Sequence, residues 1–253
     1  MIDSNILNES EIKTITDNKG IFHVVEWKKD VSVTPNTAQI AYFMSEMGCR
    51  KRQVVATLEN QGCILQAGAM QAIVGDVQMN TNTKGVVDFT KKIISSKVTN
   101  ESAIKPRYFG TGQVIFEPTY KHIILEDLSD WGGSIIIEDG LFLACDDNIE
   151  LKVTSRSNLS SAVLGGEGLF NTTLIGEGTV VLESPVPSSE LITFYLVDDV
   201  VKIDGNMAIA WSPSLKFTVE RSSKTLVGSN IAKEGLVNVY RGTGKVMIMP
   251  LHK

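Results

Sequence analysis

The chain has 253 residues, which is enough to bury a sizeable core in one domain or in several small ones. Its net charge of −5 at pH 7 argues against a surface built mainly to bind phosphate backbones, so nucleic acid is not an expected partner. Three cysteines without a Cys-x-x-Cys pair, no leader pattern and no apolar run of about 18 residues together predict a cytoplasmic protein with buried thiols and no transmembrane segment.

The first predicted elements form an N-terminal extension over residues 1–47. Residues 22–33 are rich in β-branched and aromatic side chains and predict a strand or hairpin arm. Thr34 and Pro35 then offer a capping hydroxyl and a first-turn proline, and Gly48 offers a stop. A short helix is therefore expected between them.

Residues 48–118 form the first of three predicted units. A glycine turn lies between two apolar segments, and a Gly-Thr-Gly motif later precedes an apolar run that ends at Pro118. Residues 85–94, between the turn and the motif, carry apolar side chains at helical spacing and predict a helical insertion. The glycines expected at turns in this unit are Gly68, Gly110 and Gly112.

The second and third predicted units, residues 119–185 and 186–250, repeat this order. An Asp-Gly dipeptide predicts a hairpin in each, because glycine accepts the positive φ of a tight turn. The first glycine of the Gly-x-Gly-x-Val motif recurs at positions 110, 176 and 242, a spacing of 66 residues both times. A fixed period of this size indicates one supersecondary unit built three times. The turn glycines of these units are Gly140, Gly176, Gly178, Gly205, Gly242 and Gly244.

The apolar run after each motif, at residues 114–116, 180–182 and 246–249, does not alternate with polar residues. A continuous apolar run of this length predicts a strand that is covered on both faces. In a tandem array, the second cover comes from a neighbouring unit or from another subunit. We therefore expect the units to pack side by side and the chain to form a homo-oligomer.

No residue pattern predicts a catalytic residue, a cofactor or a metal site. The three histidines, His23, His122 and His252, have no His or Cys neighbour at ligand spacing, and no Gly-x-Ser-x-Gly motif is present. The glycine-rich residues 165–168 lack the features of a phosphate-binding loop and are interpreted as a turn. The basic residues 50–52 are interpreted as a surface or helix-end segment, with contact to nucleic acid or anionic lipid as the weaker alternative.

Three segments, LQAGAMQAIVGDVQM from Leu65, Pro-Arg-Tyr from Pro106 and LGGEGLFNTTLIGEGTVVLES from Leu164, carry a family resemblance. Over residues 40–250 the chain resembles the uncharacterised altered-inheritance-of-mitochondria family. The resemblance implies three tandem copies of the fold of the tryptophan RNA-binding attenuation protein (TRAP), whose copies assemble into rings. Three chains would by analogy form a trimer with nine units in one ring. The family supplies no catalytic residues.

The expected fold class is therefore all-β, with three tandem TRAP-like β-sandwich repeats (short double-stranded β-helices) and a few short helices. The expected function is that of a non-enzymatic oligomeric scaffold or interaction protein without a cofactor. The alternative is a regulatory protein that binds a small ligand or RNA in clefts between the repeats. A third hypothesis is a β-barrel enzyme, although the chain lacks the ligand histidines that the metal-dependent kind uses.

Overall fold

The computed structural model describes residues 4–80, 105–155, 170–205, 207–221 and 236–251. Within these ranges the chain forms fifteen strands, one α-helix and two short 3₁₀ turns, so the prediction of an all-β fold is confirmed. The helix predicted at residues 85–94 and the glycine-rich residues 165–168 lie outside the described residues. No helix in the described ranges combines the length and apolar content that a bilayer crossing requires.

The described strands are numbered in chain order. The first eight strands are β1 (Lys13–Lys19), β2 (Phe22–Trp27), β3 (Lys51–Leu65), β4 (Met70–Asn80), β5 (Arg107–Phe116), β6 (His122–Asp127), β7 (Ser134–Ile137) and β8 (Phe142–Asp146). The other strands are β9 (Glu150–Ser155), β10 (Phe170–Ile175), β11 (Thr179–Ser184), β12 (Ile192–Asp204), β13 (Ala208–Trp211), β14 (Lys216–Arg221) and β15 (Leu236–Ile248). Helix α1 is Ala38–Glu46, and the 3₁₀ turns are Leu128–Trp131 and Ser188–Glu190.

The strands form two antiparallel sheets. The eight-stranded sheet has the order β1-β2-β3-β8-β11-β6, and β5 and then β4 add to the opposite edge of β3. The seven-stranded sheet has the order β12-β15-β13-β7-β10-β9, and β14 shares an edge of β15 with β13. The segment at residues 119–185 gives β6, β8 and β11 to the first sheet and β7, β9 and β10 to the second, so it joins the two sheets.

The segments that carry the Gly-x-Gly motifs are middle strands. β5 lies between β3 and β4, and β15 lies between β12 and the pair β13 and β14. β10 lies between β7 and β9, and β11 lies between β6 and β8. The motif glycines of the first and third segments lie inside β5 and β15 and not at a chain reversal, whereas those of the second form the bend between β10 and β11. The other predicted turn glycines, Gly68, Gly140 and Gly205, do lie in turns.

The apolar runs after the motifs show how the layers pack. In β11, Val180 and Leu182 belong to one buried apolar cluster and Val181 belongs to another, so both faces of the strand are covered. The run in β15 is divided between two clusters in the same way. The prediction that these apolar runs are covered on both faces is confirmed for β11 and β15. In β5, Ile115 is only partly buried, so the outer face of this strand is incompletely covered.

The N-terminal extension covers part of that outer face. β1 and β2 form a hairpin that pairs with the first half of β3. Helix α1 begins at Ala38 and not at Thr34. It is preceded by a turn in which the carbonyl oxygen of Thr34 accepts the N–H of Thr37 and of Ala38. Gly48, at φ +76°, follows the last helical turn as expected.

Candidate assembly interface

The first and third segments each contain a long strand with one unpaired edge among the described residues. Within the described residues, β12 pairs only with β15 and β4 pairs only with β5. β12 has 13 residues and β4 has 11. The outer edge of each strand therefore presents a row of N–H and carbonyl groups that can accept a further strand.

β12 is strongly apolar on its exposed surface. Tyr195 and Val197 are 72% and 81% exposed, and Leu196 between them is buried. The other exposed apolar side chains of this strand are Ile192, Phe194 and Val200. A long apolar edge strand invites association with another strand, because its backbone and side chains both lack cover.

β4 is the counterpart at the other end of the fold. Each of its residues is partly or fully exposed, and Ile73 and Met79 are among the exposed apolar side chains. On the neighbouring strand β5, Phe109 is also exposed. β8 and β13, which follow the turns at Gly140 and Gly205 as β4 follows Gly68, are almost wholly buried between neighbours. β4 thus differs from them in having a paired strand on one edge only within the described residues.

A strand pairing between the first and second segments, which we call a junction, shows how such an edge is covered within the chain. At the end of β3, Leu65 pairs with Ala144 of β8 in antiparallel register. The N–H of Gln66 then donates to the carbonyl oxygen of Leu143 at 2.7 Å. Leu65 and Ala144 are both fully buried. β3, which precedes the first glycine turn, is therefore joined to β8, which follows the second glycine turn.

A second junction repeats this geometry in the other sheet. Ile137 at the end of β7 pairs with Ala210 of β13. The N–H of Glu138 donates to the carbonyl oxygen of Ile209 at 2.9 Å. Ile137 and Ala210 are fully buried. Each junction therefore opposes a large aliphatic side chain with an alanine.

The two halves of a third junction occur on the open edges. Ile203 of β12 and Ile137 of β7 hold equivalent positions. Each pairs with the residue that lies four positions before the first glycine of the Gly-x-Gly motif in its own segment. Ala72, Ala144 and Ala210 also hold equivalent positions. Each pairs with the residue that lies five positions after the first glycine of the motif in its own segment. Ile203 and Ala72 thus hold the junction positions, and neither has a junction partner within the described residues.

Burial shifts the pKa values of two cysteines and two histidines. Burial raises the pKa of the Cys63 thiol to about 12, and burial likewise raises the pKa of Cys145 well above its usual range. A raised pKa keeps these thiols protonated and poorly nucleophilic. Burial lowers the pKa of both His23 and His122. Within the described ranges, no group of three or more His, Cys, Asp and Glu side chains could hold a metal ion.

The basic residues 50–52 are held by acidic partners. Arg50 and Arg52 both form ion pairs with Glu26, at 2.9 and 2.8 Å. Lys51 forms an ion pair with Asp30 at 2.9 Å. These contacts attach β3 to the N-terminal extension, which gives the segment a structural role.

Sequence reasoning did not single out β12 or β4 as a site. The available signal was the run Ile-Thr-Phe-Tyr-Leu-Val from Ile192, which lacks strict alternation of apolar and polar residues. Such a run predicts two covered faces. It does not reveal that the described residues of the same chain contain no strand to cover this edge.

Comparisons with known proteins agree with this fold and name no activity. The family described as "Mitochondrial biogenesis AIM24" matches residues 46–251. An uncharacterised protein of Streptococcus pyogenes serotype M6 is 28% identical over 243 residues, which cover 92% of this chain and 93% of that protein. A crystal structure of a Streptococcus pyogenes protein from a structural genomics consortium superposes with a TM-score of 0.56 at 25% identity, over 81% of this chain and 90% of that chain.

The chain is thus an all-β protein in which, within the described residues, β12 and β4 each have an unpaired edge. It is similar along most of its length to proteins without an assigned function. It belongs to the AIM24 family of mitochondrial biogenesis proteins.

Proposed function

We propose that this protein is a non-enzymatic scaffold that assembles with further copies of itself through β12 and β4. The proposal rests on one observation. The junction that the chain makes twice, Leu65 with Ala144 and Ile137 with Ala210, has both of its halves unused at the two ends of the fold.

The three motif-bearing segments act as equivalent TRAP-like units in this proposal. Each unit contributes a first strand, a second strand after the glycine turn and a middle strand with the motif. The first strand of one unit pairs with the second strand of the next. By this rule, Ile203 of one copy opposes Ala72 of the next copy, and the N–H of Asp204 donates to the carbonyl oxygen of Gln71.

This contact is head-to-tail, because it joins two different surfaces. Repeated head-to-tail contacts give a closed ring or an open filament, depending on the rotation between copies. We propose a ring of three chains and nine units, which leaves no strand edge of this kind open. The exposed apolar side chains of β12, including Tyr195 and Val197, gain cover in the same step.

A reducing compartment such as the cytoplasm suits the assembled protein. Cys63 and Cys145 are free, buried thiols that pack in the core. Their protonated form matches an apolar environment, and neither thiol is required for the strand contact. The proposed role is to build and present a surface, with no turnover of a substrate.

The test is disulfide cross-linking between copies. In a Cys49→Ser background, which removes the exposed native thiol, Ile203→Cys and Ala72→Cys are combined in one chain. Directly opposed residues of antiparallel strands lie about 4.5–5.5 Å apart at Cα, within the range that a disulfide bridges. Mild oxidation should give a covalent species of three chains on a non-reducing gel.

A displaced pair provides the control. Ile203→Cys combined with Gln78→Cys keeps the same strands and places the second thiol away from the proposed register, so it should cross-link at least tenfold more slowly. A monodisperse monomer in light scattering at micromolar concentration contradicts the scaffold proposal. If the protein is oligomeric but cross-links no better at Ala72 than at Gln78, the proposed strand register is contradicted and only self-association remains supported.

A further inference from the structure

A cavity of about 470 Å³ lies between α1, the end of β2 and the outer face of the β3–β5 sheet. Small-molecule sites are typically concave, about 300–1,000 Å³ in volume and largely apolar. The cavity lies beside the N-terminal extension and includes no residue of β12, and Gln71 is the lining residue that also takes part in the proposed contact between copies. Its existence does not depend on the proposed assembly.

The apolar part of the lining includes Trp27, Met44 and Ile115. Ile115 is the residue that leaves its strand incompletely covered, whereas Val181 and Met247, at the same distance after their motifs, are buried in the core. The cavity therefore occurs where the extension replaces the packing that the other two segments possess. Ile115 would otherwise be an apolar side chain facing water.

The polar groups near these side chains already have partners. The indole N–H of Trp27 donates to Gln53 Oε1 at 3.3 Å. Gln53 Nε2 donates to the carbonyl oxygen of Phe116 at 2.8 Å and to Gln71 Oε1 at 2.7 Å. Because these donors are satisfied within the protein, this wall offers an occupant apolar contact more than hydrogen bonds.

Helix α1 stands off from the sheet above the cavity. It has nine residues, none of which is buried, and its N-terminus has no side-chain cap. A helix this short obtains its stability from packing. Ala41 and Met44, three residues apart on the same helix face, line the cavity and are only partly buried. An occupant between them and Ile115 would supply the missing packing.

Basic side chains predominate in the lining. It contains Lys28, Lys29, Arg50 and Lys51 against a single acidic residue, Asp30. Asp30 pairs with Lys51 at 2.9 Å. Arg50 pairs with Glu26 at 2.9 Å. Lys28 and Lys29 therefore leave an excess of positive charge at the cavity, to which an anionic group is complementary.

We propose that this cavity binds a small amphipathic anion, with an apolar body against Trp27, Met44 and Ile115 and a carboxylate, sulfonate or phosphate beside the lysines. The inference goes beyond the scaffold function. The apolar body is recognised by burial and the head group by charge, so a purely apolar or purely polar molecule of the same size binds more weakly.

The first experiment uses 8-anilinonaphthalene-1-sulfonate, a fluorescent aromatic anion, with the full chain. Ala41→Trp fills the cavity and should weaken dye binding at least tenfold. Ala38→Trp makes the same change on an exposed position of α1 outside the lining and serves as the matched control. Lys29→Glu should weaken binding at least threefold, while Lys216→Glu, at an exposed position of β14 outside the lining, should leave it unchanged.

A second readout does not depend on dye fluorescence. Cys49 lines the cavity and is the exposed cysteine, whereas Cys63 and Cys145 are buried. A saturating concentration of dye should slow the alkylation of Cys49 by a maleimide at least fivefold. If Ala41→Trp alters the fold, this protection and the Lys29→Glu variant still test the proposal.

The anionic head can come from a free molecule or from a membrane lipid, and two competitors separate these sources. Displacement of the dye by dodecanoate below its micellar concentration indicates a free acid. Displacement by phosphatidylglycerol vesicles, with no effect of phosphatidylcholine vesicles, indicates a lipid head group. Equal dye binding by wild type, Ala41→Trp and Lys29→Glu, with no protection of Cys49, overturns the proposal.

Discussion

Asn60 donates its backbone N–H to the hydroxyl oxygen of Thr111 at 3.1 Å, and Asp198 makes the same bond to Thr243 at 3.0 Å. Asn60 and Asp198 have φ values of +53° and +49°, and each lies in a bulge opposite the first glycine of a motif. Asn and Asp tolerate positive φ better than most residues. The middle threonine of Gly-Thr-Gly thus secures a bulge in the neighbouring strand. The second motif has Glu177 instead, and there a 3₁₀ turn separates β6 from β7.

Loss of the threonine hydroxyl should destabilise the bulge. Thr111→Val removes the acceptor of the Asn60 N–H, and we expect the free energy of unfolding to fall by about 1 kcal/mol. Thr243→Val should have a similar effect, because Asp198 makes the same contact. Urea unfolding measures both. Thr193→Val, on β12, is the control; an equal loss there would show that the hydroxyl bond is not the cause.

Gly110 should not tolerate a side chain. Its φ is +146°, and a Cβ at this position would overlap the carbonyl oxygen of Asp76 on β4. Gly110→Ala should therefore lower the free energy of unfolding by more than about 2 kcal/mol, because both backbone strain and a main-chain clash oppose it. Gly68→Ala is the comparison, since Gly68 has φ +84° and open space around its Cβ position. It should cost about 1 kcal/mol; equal losses would contradict the crowding at Gly110.

The buried thiol of Cys63 should make stability fall at high pH. Burial raises its pKa from 9.0 to about 12, so the folded state retains a proton that the unfolded state releases first. This contribution is fully present below pH 9 and is lost as pH rises from about 9 to 12. In urea unfolding at pH 8 and pH 10.5, the stability difference between wild type and Cys63→Ala should shrink at the higher pH. A stability difference that stays the same at both pH values would contradict the raised pKa of Cys63.

The Glu220–Arg241 contact should act in the opposite pH range. Hydrogen bonds from Arg241 and then Thr218 lower the pKa of Glu220 from 4.5 to about 2. The stabilisation is therefore present above pH 4.5 and is lost as pH falls through about 2. Glu220→Gln should be less stable than wild type at pH 6 and equally stable near pH 2. Glu46→Gln, on exposed α1, should differ little from wild type across this range.

The repeat pattern predicted the positions of the middle strands and the all-β class, because a fixed spacing of glycines and apolar runs is a local signal. It did not distinguish a turn from a crowded strand at Gly110, since both favour glycine. The strand β1 and the division of residues 119–185 between two sheets were also missed. Strand partners distant in sequence decide those features, and periodicity carries no information about them. The open edges and the cavity were unpredictable for the same reason, because each depends on which strands and helices of the described residues pack together.

The division of residues 119–185 between the sheets bears on synthesis of the chain. As the polypeptide leaves the ribosome, β3 is complete well before β8 is available to cover its end. In the second sheet, β7, β9 and β10 can pair first, but the sheet cannot be completed until β13 has been made and pairs with β7. Neither sheet is therefore a unit that matures alone. The N-terminal strands must stay unpaired at one edge until the middle of the chain emerges, and that interval is when the nascent protein is most exposed to aggregation.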